Sequence, residues 1–497
     1  MCGIAGVRSS PVKRGEKKRK GASHPTVAEI IIMMLFALQH RGHDSSGISL
    51  VSTETGQPRT FRAKGLVKKL AKKLEELKGA EARILEAESG VGHNRYQSIV
   101  RNQSPSKISS KETQPLESEV SGDVAVVAHN GELLGARFGD QLLSVAEARQ
   151  RLTVSGSIFH SSSDSELFLH LLAHARGKTT VERVMNVLNQ AVGAFSVLII
   201  WRGYMFAARD PRGFRPLAMA YVEQTGQTLF ASETCAFSLV NGVFQRTIKP
   251  GEVVIINPAG KQYSRWLTEK AKRAECIFEE MYFSRPDSMT FDRSVSRSRR
   301  AFGRLLAEQL ITQGKLPEFD IVVPMLDSGL DAALGFAEVT GIPIDLAVIR
   351  NHYFWRSFTT PGQQARERQV MLKHAVDAAA ARGLRVGVID DTLVRSTTAT
   401  TIIKMLWQAG ATKVYWFNAS PPTTGGCPYG IATRSNGDQP IAATKTIEEI
   451  RSKIGATGLY YVDLVYLQAH NQVVGRHCCD ACFSGQYPIA PLTTTSK

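Results

Sequence analysis

Met1-Cys2-Gly3-Ile4-Ala5-Gly6-Val7 opens the chain, and its reading decides the fold of the first half. If Met1 is removed, which a neighbour as small as cysteine permits, Cys2 carries both a thiol and a free α-amine. A thiol is a weak nucleophile until something takes its proton. A terminal amine has a pKa of about 7.7–8.0 and can act as that base without a histidine. The Gly-Ile-Ala-Gly-Val that follows is small and apolar, suited to a strand in a tight core. The competing reading is a buried N-terminal strand with a chance cysteine, and the residues further along decide between the two.

Working outward, 497 residues exceed one ordinary core, so two large domains are expected. The composition is globular, with 43% hydrophobic and 21% charged residues. No apolar run reaches the ~18–20 residues of a membrane span. Residues 30–38 are apolar but too few, and the basic stretch before them lacks the order of a signal peptide. A cytoplasmic protein with no membrane partner is the expectation. The formal charge of +16 is concentrated in runs, among them Lys17 to Lys20, Lys68 to Lys73 and Arg297 to Arg304. Such runs are solvated faces or attract anions. No RNA-binding aromatic run, zinc-finger spacing or DNA-binding helix pair accompanies them, so a phosphorylated small molecule fits better than nucleic acid. The seven cysteines are odd in number and argue against a disulfide framework.

Residues 1–260 read as β-rich. Strands are expected at 48–52, 124–128, 195–201 and 252–256, with helices at 26–38 and 165–175. Residues 9–22 read as a basic insertion. From about 275 apolar strands alternate with amphipathic helices: helix 294–313, strand 321–324, helix 331–340, strand 344–349, strand 386–389, helix 397–409, strand 414–419. That alternation predicts a mainly parallel sheet.

Four polar clusters lie at element ends in the first half: residues 38–47, Gly92 to Tyr96, His129 to Leu133, and Ser163 to Glu166. Attack on a carboxamide needs a thiolate, donors for the oxyanion, and charges for an amino acid's α-groups. Asn130 and the Gly131 N–H suit the oxyanion, Arg95 an α-carboxylate, and Asp164 an α-ammonium. Taken singly, Asn-Gly is as readily a turn, and Asp164 (or Ser163) a helix cap.

Taken together, and with Gly193-Ala194-Phe195-Ser196, Ala208 to Pro211, Arg215-Pro216-Leu217 and Ala231-Ser232-Glu233, these motifs resemble an N-terminal-nucleophile (class II) glutamine amidotransferase domain. The resemblance covers about residues 2–255. It implies a four-layer αββα fold, attack of Cys2 on glutamine, glutamine binding by Arg95 and Asp164, and Asn130 and Gly131 as the oxyanion hole. Gln97 stands where that family usually has Ser.

The second informative run is Val386-Gly387-Val388-Ile389-Asp390-Asp391-Thr392-Leu393-Val394-Arg395-Ser396-Thr397-Thr398. A buried strand ends in two carboxylates, and a hydroxyl-rich loop then enters a helix. The helix N-terminus suits a phosphate, and the carboxylates suit ribose hydroxyls and the vicinity of Mg²⁺. A polar strand-to-helix turn is the plainer reading. The run resembles the 5-phosphoribosyl-1-pyrophosphate (PRPP) motif of phosphoribosyltransferases. With Tyr282 to Ser288, Asp327-Ser328-Gly329, Asn351 to Phe358 and Ser420-Pro421-Pro422, the whole chain resembles the amidophosphoribosyltransferase family. That resemblance implies PRPP binding by Asp390, Asp391, Thr392, Arg395, Ser396, Thr397, Thr398 and Arg356, and magnesium near Ser328, Asp390 and Asp391. It also implies a homotetramer. The chain departs from the family at Ser396 (usually Gly), His352 (usually Arg) and Leu330 (usually Arg or a polar residue).

Cys479-Asp480-Ala481-Cys482 alone is ambiguous between a redox pair, zinc and an iron–sulfur cluster. Within the family resemblance, Cys276, Cys427, Cys479 and Cys482 stand where one subgroup holds a [4Fe–4S] cluster. The expected organisation is a glutaminase domain at 2–258, an α/β phosphoribosyltransferase domain at 259–475, and a cluster-bearing tail at 476–497. The implied activity makes 5-phosphoribosylamine from glutamine, PRPP and water. The alternative is a non-catalytic paralogue that binds PRPP or nucleotides as a regulator. A sugar-isomerase half or a Ser-Gly-Gly pyrophosphatase loop, which other glutaminase-bearing enzymes need, is not evident after residue 260.

Overall fold

The structure, a computed structural model, describes residues 1–9, 24–96, 110–352, 368, 370–431, 433, 439–470 and 477–492. All but Ser9 of the basic insertion lies outside them. In the first half, two seven-stranded antiparallel sheets pack face to face. The first runs in the order Val243–Thr247, Ala218–Val222, Gln227–Ala231, Gly3–Arg8, Ser89–Arg95, Ser45–Val51, Pro58–Lys64. The second runs Gln262–Trp266, Glu252–Ile256, Tyr204–Arg209, Ala191–Trp201, Asp123–Phe138, Leu116–Val120, with Gln141–Ser144 beside Asp123–Phe138.

Strand alternation builds the layers. Ile4, Val126, Ala128 and Leu198 point between the sheets, where they meet Val91, Phe230 and Val254. Their neighbours point outward. Ala5 and Val7 meet Ile31 and Leu35 of helix Val27–Ala37, and Val127 and Phe195 meet Leu167 and Leu171 of helix Glu166–His174. Helix, sheet, sheet, helix is the αββα arrangement. Each fully buried Leu or Ile contributes roughly 1.5–3 kcal/mol. Helix Val27–Ala37 starts at Thr26, whose side chain and Glu29 form a reciprocal capping box. Strand Gln262–Trp266 pairs with Glu252–Ile256, so the second sheet continues past residue 258.

In the second half, strands Ile321–Pro324, Arg385–Asp390, Lys413–Asn418 and Gly458–Tyr461 form a parallel sheet in that order. Phe302, Leu306 and Phe336, from helices Val295–Thr312 and Leu330–Thr340, cover one face. Ile402 and Ile450, from helices Thr397–Gln408 and Ile447–Ile454, cover the other. Residues 344–349 do not form the single strand expected. Ile344 makes one parallel bridge to Val322, and Val348–Arg350 pairs instead with His374–Val376. Pro343 offers no N–H, and Asp345 interrupts the apolar run. Among the described residues no helix is long and apolar enough to cross a membrane.

Candidate functional site

Cys2 precedes strand Gly3–Arg8, whose register sets Gly3 opposite Asn94. Ser45 of the neighbouring strand lies opposite Arg95. Cys2 and Arg95 therefore stand at one end of the first sheet. Asn130 and Gly131 lie in the long strand of the second sheet, opposite Ser196 and Phe195. The Cys2 N–H donates to Asn130 Oδ1 at 3.1 Å, bridging the two sheets. That orientation leaves Asn130 Nδ2 buried with no partner among the described residues. An unmet buried donor costs about 1–3 kcal/mol and calls for a purpose. A donor on the amide that touches Cys2 suits a developing oxyanion. Gly131 has φ +153°, and a Cβ there would lie 1.9 Å from the Ala194 carbonyl oxygen, so only glycine fits.

Met1 is buried in an apolar cluster with Cys276, Phe278 and Met281. Burial lowers its amine below the usual value. Removing Met1 would place the new terminal amine on the Cys2 nitrogen already in contact with Asn130.

Arg95 is not an open fork. It donates to the Glu112 carboxylate at 2.8 Å and to the Glu112 carbonyl. Glu112 also accepts the Ser162 hydroxyl at 2.5 Å. A substrate α-carboxylate on Arg95 would have to take the place of Glu112. Asp164 is not a helix cap either: helix Glu166–His174 begins after Ser165 with no side-chain cap. Asp164 instead accepts the Leu133 N–H at 2.8 Å and lies 3.9 Å from His129 Nδ1.

Behind Cys2 lies a buried ion chain: the sequence motifs contained His40, Arg41, Arg215 and Glu233 without revealing their partners, and Glu279 lay outside every motif. Arg41, fully buried, donates to the Cys2 carbonyl at 2.9 Å. It pairs with Glu233 and, in a two-pronged contact at 2.9 and 3.1 Å, with Glu279. Glu279 also pairs with the buried Arg215 at 3.4 Å. His40 lies 2.8 Å from Glu233. Burial works against the charge on Glu233, but His40 and Arg41 hold its carboxyl far below the usual range.

In the second half, Asp390 ends its strand at the carboxyl edge of the parallel sheet, the usual place for ligands in such sheets. Burial and the Asp391 charge push its carboxyl well above the usual range. Burial also raises Asp391, against the Ser328 hydroxyl and the Arg299 guanidinium. Thr392 donates to Asp391 at 2.9 Å. Two crowded carboxylates, Asp391 buried and Asp390 half-buried, beside Ser328 are a donor set that a divalent cation or ribose hydroxyls would relieve. Among the described residues Ser396 heads helix Thr397–Gln408 without a side-chain cap bond, and a helix N-terminus of this kind suits an anion. Its φ of −76° is ordinary helical backbone, so glycine is not required there. Leu330 begins helix Leu330–Thr340, and Asp327 pairs with Arg350, whose strand precedes His352. Arg395 is exposed on the loop, and Thr398 lies in the helix's first turn. Arg356 and Gln97 fall outside the described residues.

The four cysteines named above come together although up to 206 residues separate them. Glu275–Cys276 and Cys478–Cys479 form a short parallel pair that sets Cys276 beside Cys479. The N–H groups of Thr424 and Gly425 donate to the Cys482 carbonyl at 3.0 and 2.9 Å, drawing in Cys427. All four line one pocket, with Phe214, Arg215 and Tyr429. Among the described residues, no three His, Cys, Asp or Glu side chains converge as a ready-made set for a single ion. A zinc ion needs four thiolates about 2.3 Å from one point. A cubane binds each cysteine to a different iron, so its ligands surround a volume.

Residues 101–238 match a family model described as a glutamine amidotransferase domain. The chain is 35% identical over 498 residues to amidophosphoribosyltransferase 1, chloroplastic, of Arabidopsis thaliana, covering 100% of this chain and 80% of that one. It is 35% identical over 474 residues to the amidophosphoribosyltransferase of Bacillus subtilis, covering 94% and 92%. The solved structure of glutamine PRPP amidotransferase from B. subtilis, complexed with ADP and GMP, matches with a TM-score of 0.83 and 32% identity, covering 100% of this chain and 99% of that one.

Proposed function

The chain belongs to the amidophosphoribosyltransferase family, and from that membership we propose how its residues divide the family's reaction. The protein is a glutamine-dependent glycosyltransferase that makes 5-phosphoribosylamine, glutamate and pyrophosphate from glutamine, PRPP and water, the first step of purine biosynthesis. In our reading, the Cys2 amine takes the thiol proton and the sulfur attacks the glutamine carboxamide. Asn130 Nδ2 and the Gly131 N–H hold the oxyanion. Collapse of the tetrahedral adduct expels ammonia and leaves a glutamyl thioester, which water hydrolyses to glutamate. Arg95 and Asp164 hold the α-carboxylate and α-ammonium, with Glu112 yielding its place on Arg95. The observation that carries this assignment is the buried Asn130 Nδ2, without a partner among the described residues, on the amide that touches Cys2.

In the second half, Thr392 to Thr398 and the helix they enter receive the 5-phosphate, with Arg395 and Arg356 as further cations. Asp390 and Asp391 face the ribose hydroxyls. Ser328, Asp390 and Asp391 are the residues that would hold magnesium, which when bound neutralises charge on the departing pyrophosphate. Ammonia displaces pyrophosphate at ribose C1, and an internal route keeps it from protonation and loss. Cys276, Cys427, Cys479 and Cys482 would hold a [4Fe–4S] cluster, which when bound crosslinks the tail to both the 275–276 and 424–427 segments. The first boundary, expected at 258, moves to after Trp266, because strand Gln262–Trp266 completes the second sheet. The division is then 2–266, 267–475 and 476–497, and the assembly is a cytoplasmic homotetramer.

The test supplies two nitrogen sources to protein purified without oxygen. Cys2→Ala should abolish glutamate release from glutamine yet retain pyrophosphate release when ammonium replaces glutamine. Loss of the ammonium-driven reaction in the wild type would remove the transferase assignment and favour a protein that binds PRPP without turning it over.

A further inference from the structure

Residues 427–431 belong to the second half, yet they rest against the strand of the first half that carries Asn130 and Gly131. We propose that Tyr429 and Gly430 are positioning residues for the oxyanion site, setting the Gly131 backbone from behind and linking it to the cysteine cavity. The proposal rests on the reading of Asn130 and Gly131 as oxyanion donors.

Gly430 makes the contact. It has φ +101°, and a Cβ there would lie 3.1 Å from both the carbonyl carbon and oxygen of Gly131 and 3.4 Å from the Glu132 nitrogen. The two backbones touch with no side chain between them. Gly131 lacks a Cβ and sits at φ +153°, so little within its own strand fixes the tilt of its peptides. The Gly131 N–H lies in the preceding peptide, so what the 131–132 peptide leans on acts on that N–H through the φ and ψ rotations at the Gly131 α-carbon.

Tyr429 fixes the prop. Its carbonyl accepts two N–H groups of Arg215, one at 3.1 Å, and Arg215 is anchored to Glu279. Its ring stacks on Phe214 with centroids 4.3 Å apart. Its hydroxyl donates to the Ile489 carbonyl at 2.7 Å and accepts the Ile489 N–H at 2.9 Å. Its own N–H donates to Cys427 Sγ at 3.3 Å. Partners from the first half, the tail and the cysteine cavity thus hold one residue, and the next one touches Gly131.

An oxyanion exists only in the transition state, so a displaced donor lowers kcat and spares KM. Gly430→Ala should lower kcat for glutamate release by about 10- to 100-fold, the effect of a misplacement of about 1 Å. KM for glutamine should stay within about threefold, and ammonium-driven pyrophosphate release within about twofold. Iron and acid-labile sulfide per chain should match the wild type. Unchanged kcat in iron-replete Gly430→Ala, or a parallel fall in the ammonium-driven reaction, would overturn the proposal. Should Gly430→Ala not yield folded, iron-bearing protein, Tyr429→Phe decides. It keeps the stack on Phe214 and removes both bonds to Ile489, so a several-fold kcat loss with the same KM pattern is expected and an unchanged kcat overturns the idea. Asn130→Ala separates the two levels. Wild-type glutamate release in that variant would remove the oxyanion reading itself. Its loss there, with none in Gly430→Ala or Tyr429→Phe, would remove only the positioning role.

Discussion

At the scale of single residues, Asn130 divides its amide between two tasks. Its oxygen takes the Cys2 N–H, and its nitrogen has no partner among the described residues. Asn130→Ala should therefore lower kcat for glutamate release by about 10²–10³-fold with little change in KM, the usual cost of one oxyanion donor. Steady-state kinetics on glutamine check this. Glu279 has a different task. It lies between Arg41 and Arg215, all three with side chains at 0% exposure. Removing one member of a buried pair leaves an uncompensated charge, worth roughly 3–5 kcal/mol. Glu279→Ala takes from Arg215 its carboxylate partner and leaves Arg41 with Glu233, and should lower the unfolding free energy measured by denaturant titration by roughly that amount. The sequence exposed Arg41, Arg215 and Glu233 as members of motifs. It could not expose their pairing, because the partners lie 192 and 238 positions from Arg41 and come together only through the fold.

At the scale of elements, helix Glu166–His174 carries its own pH sensor. Burial works against the Glu166 charge, but hydrogen bonds from His170 and from the backbone of His160 and Ser161 outweigh it and hold the carboxyl down to about 2. The folded value lies below the ordinary 4.5, so this contribution is present above pH 4.5 and is lost as pH falls toward 2. The stability gap between wild type and Glu166→Gln, measured by denaturant titration, should be open at pH 7 and narrow between pH 4.5 and 2. The loop before helix Thr397–Gln408 gives a second prediction. Ser396 has ordinary helical dihedrals, so Ser396→Gly should leave KM for PRPP within about threefold. A tenfold gain would mean that the side chain crowds the phosphate.

Strands and helices were largely legible because their periods of 2 and 3.6 are written in single residues. Residues 252–256 and 321–324 match their expected bounds, and helix Val295–Thr312 falls one residue short at each end. The misreadings have physical causes. Gln262–Trp266 joins the sheet through backbone bonds while exposing its side chains, so no apolar alternation announces it. The Arg95–Glu112 ion pair was not legible either, because a segment of unpatterned sequence lies between the two residues.

At the scale of the whole molecule, two architectures meet along a buried seam that includes Met1, Arg41, Arg215, Glu279 and Tyr429. The central claim is that this seam joins two chemistries into one reaction. The most direct measurement is the ratio of pyrophosphate to glutamate released from glutamine, with and without Mg²⁺–PRPP, on oxygen-free protein whose Met1 removal is verified by mass. The account predicts glutamate release stimulated by PRPP, a ratio near one, and loss of both products in Cys2→Ala. Glutamate release that ignores PRPP and yields no matching pyrophosphate would contradict it.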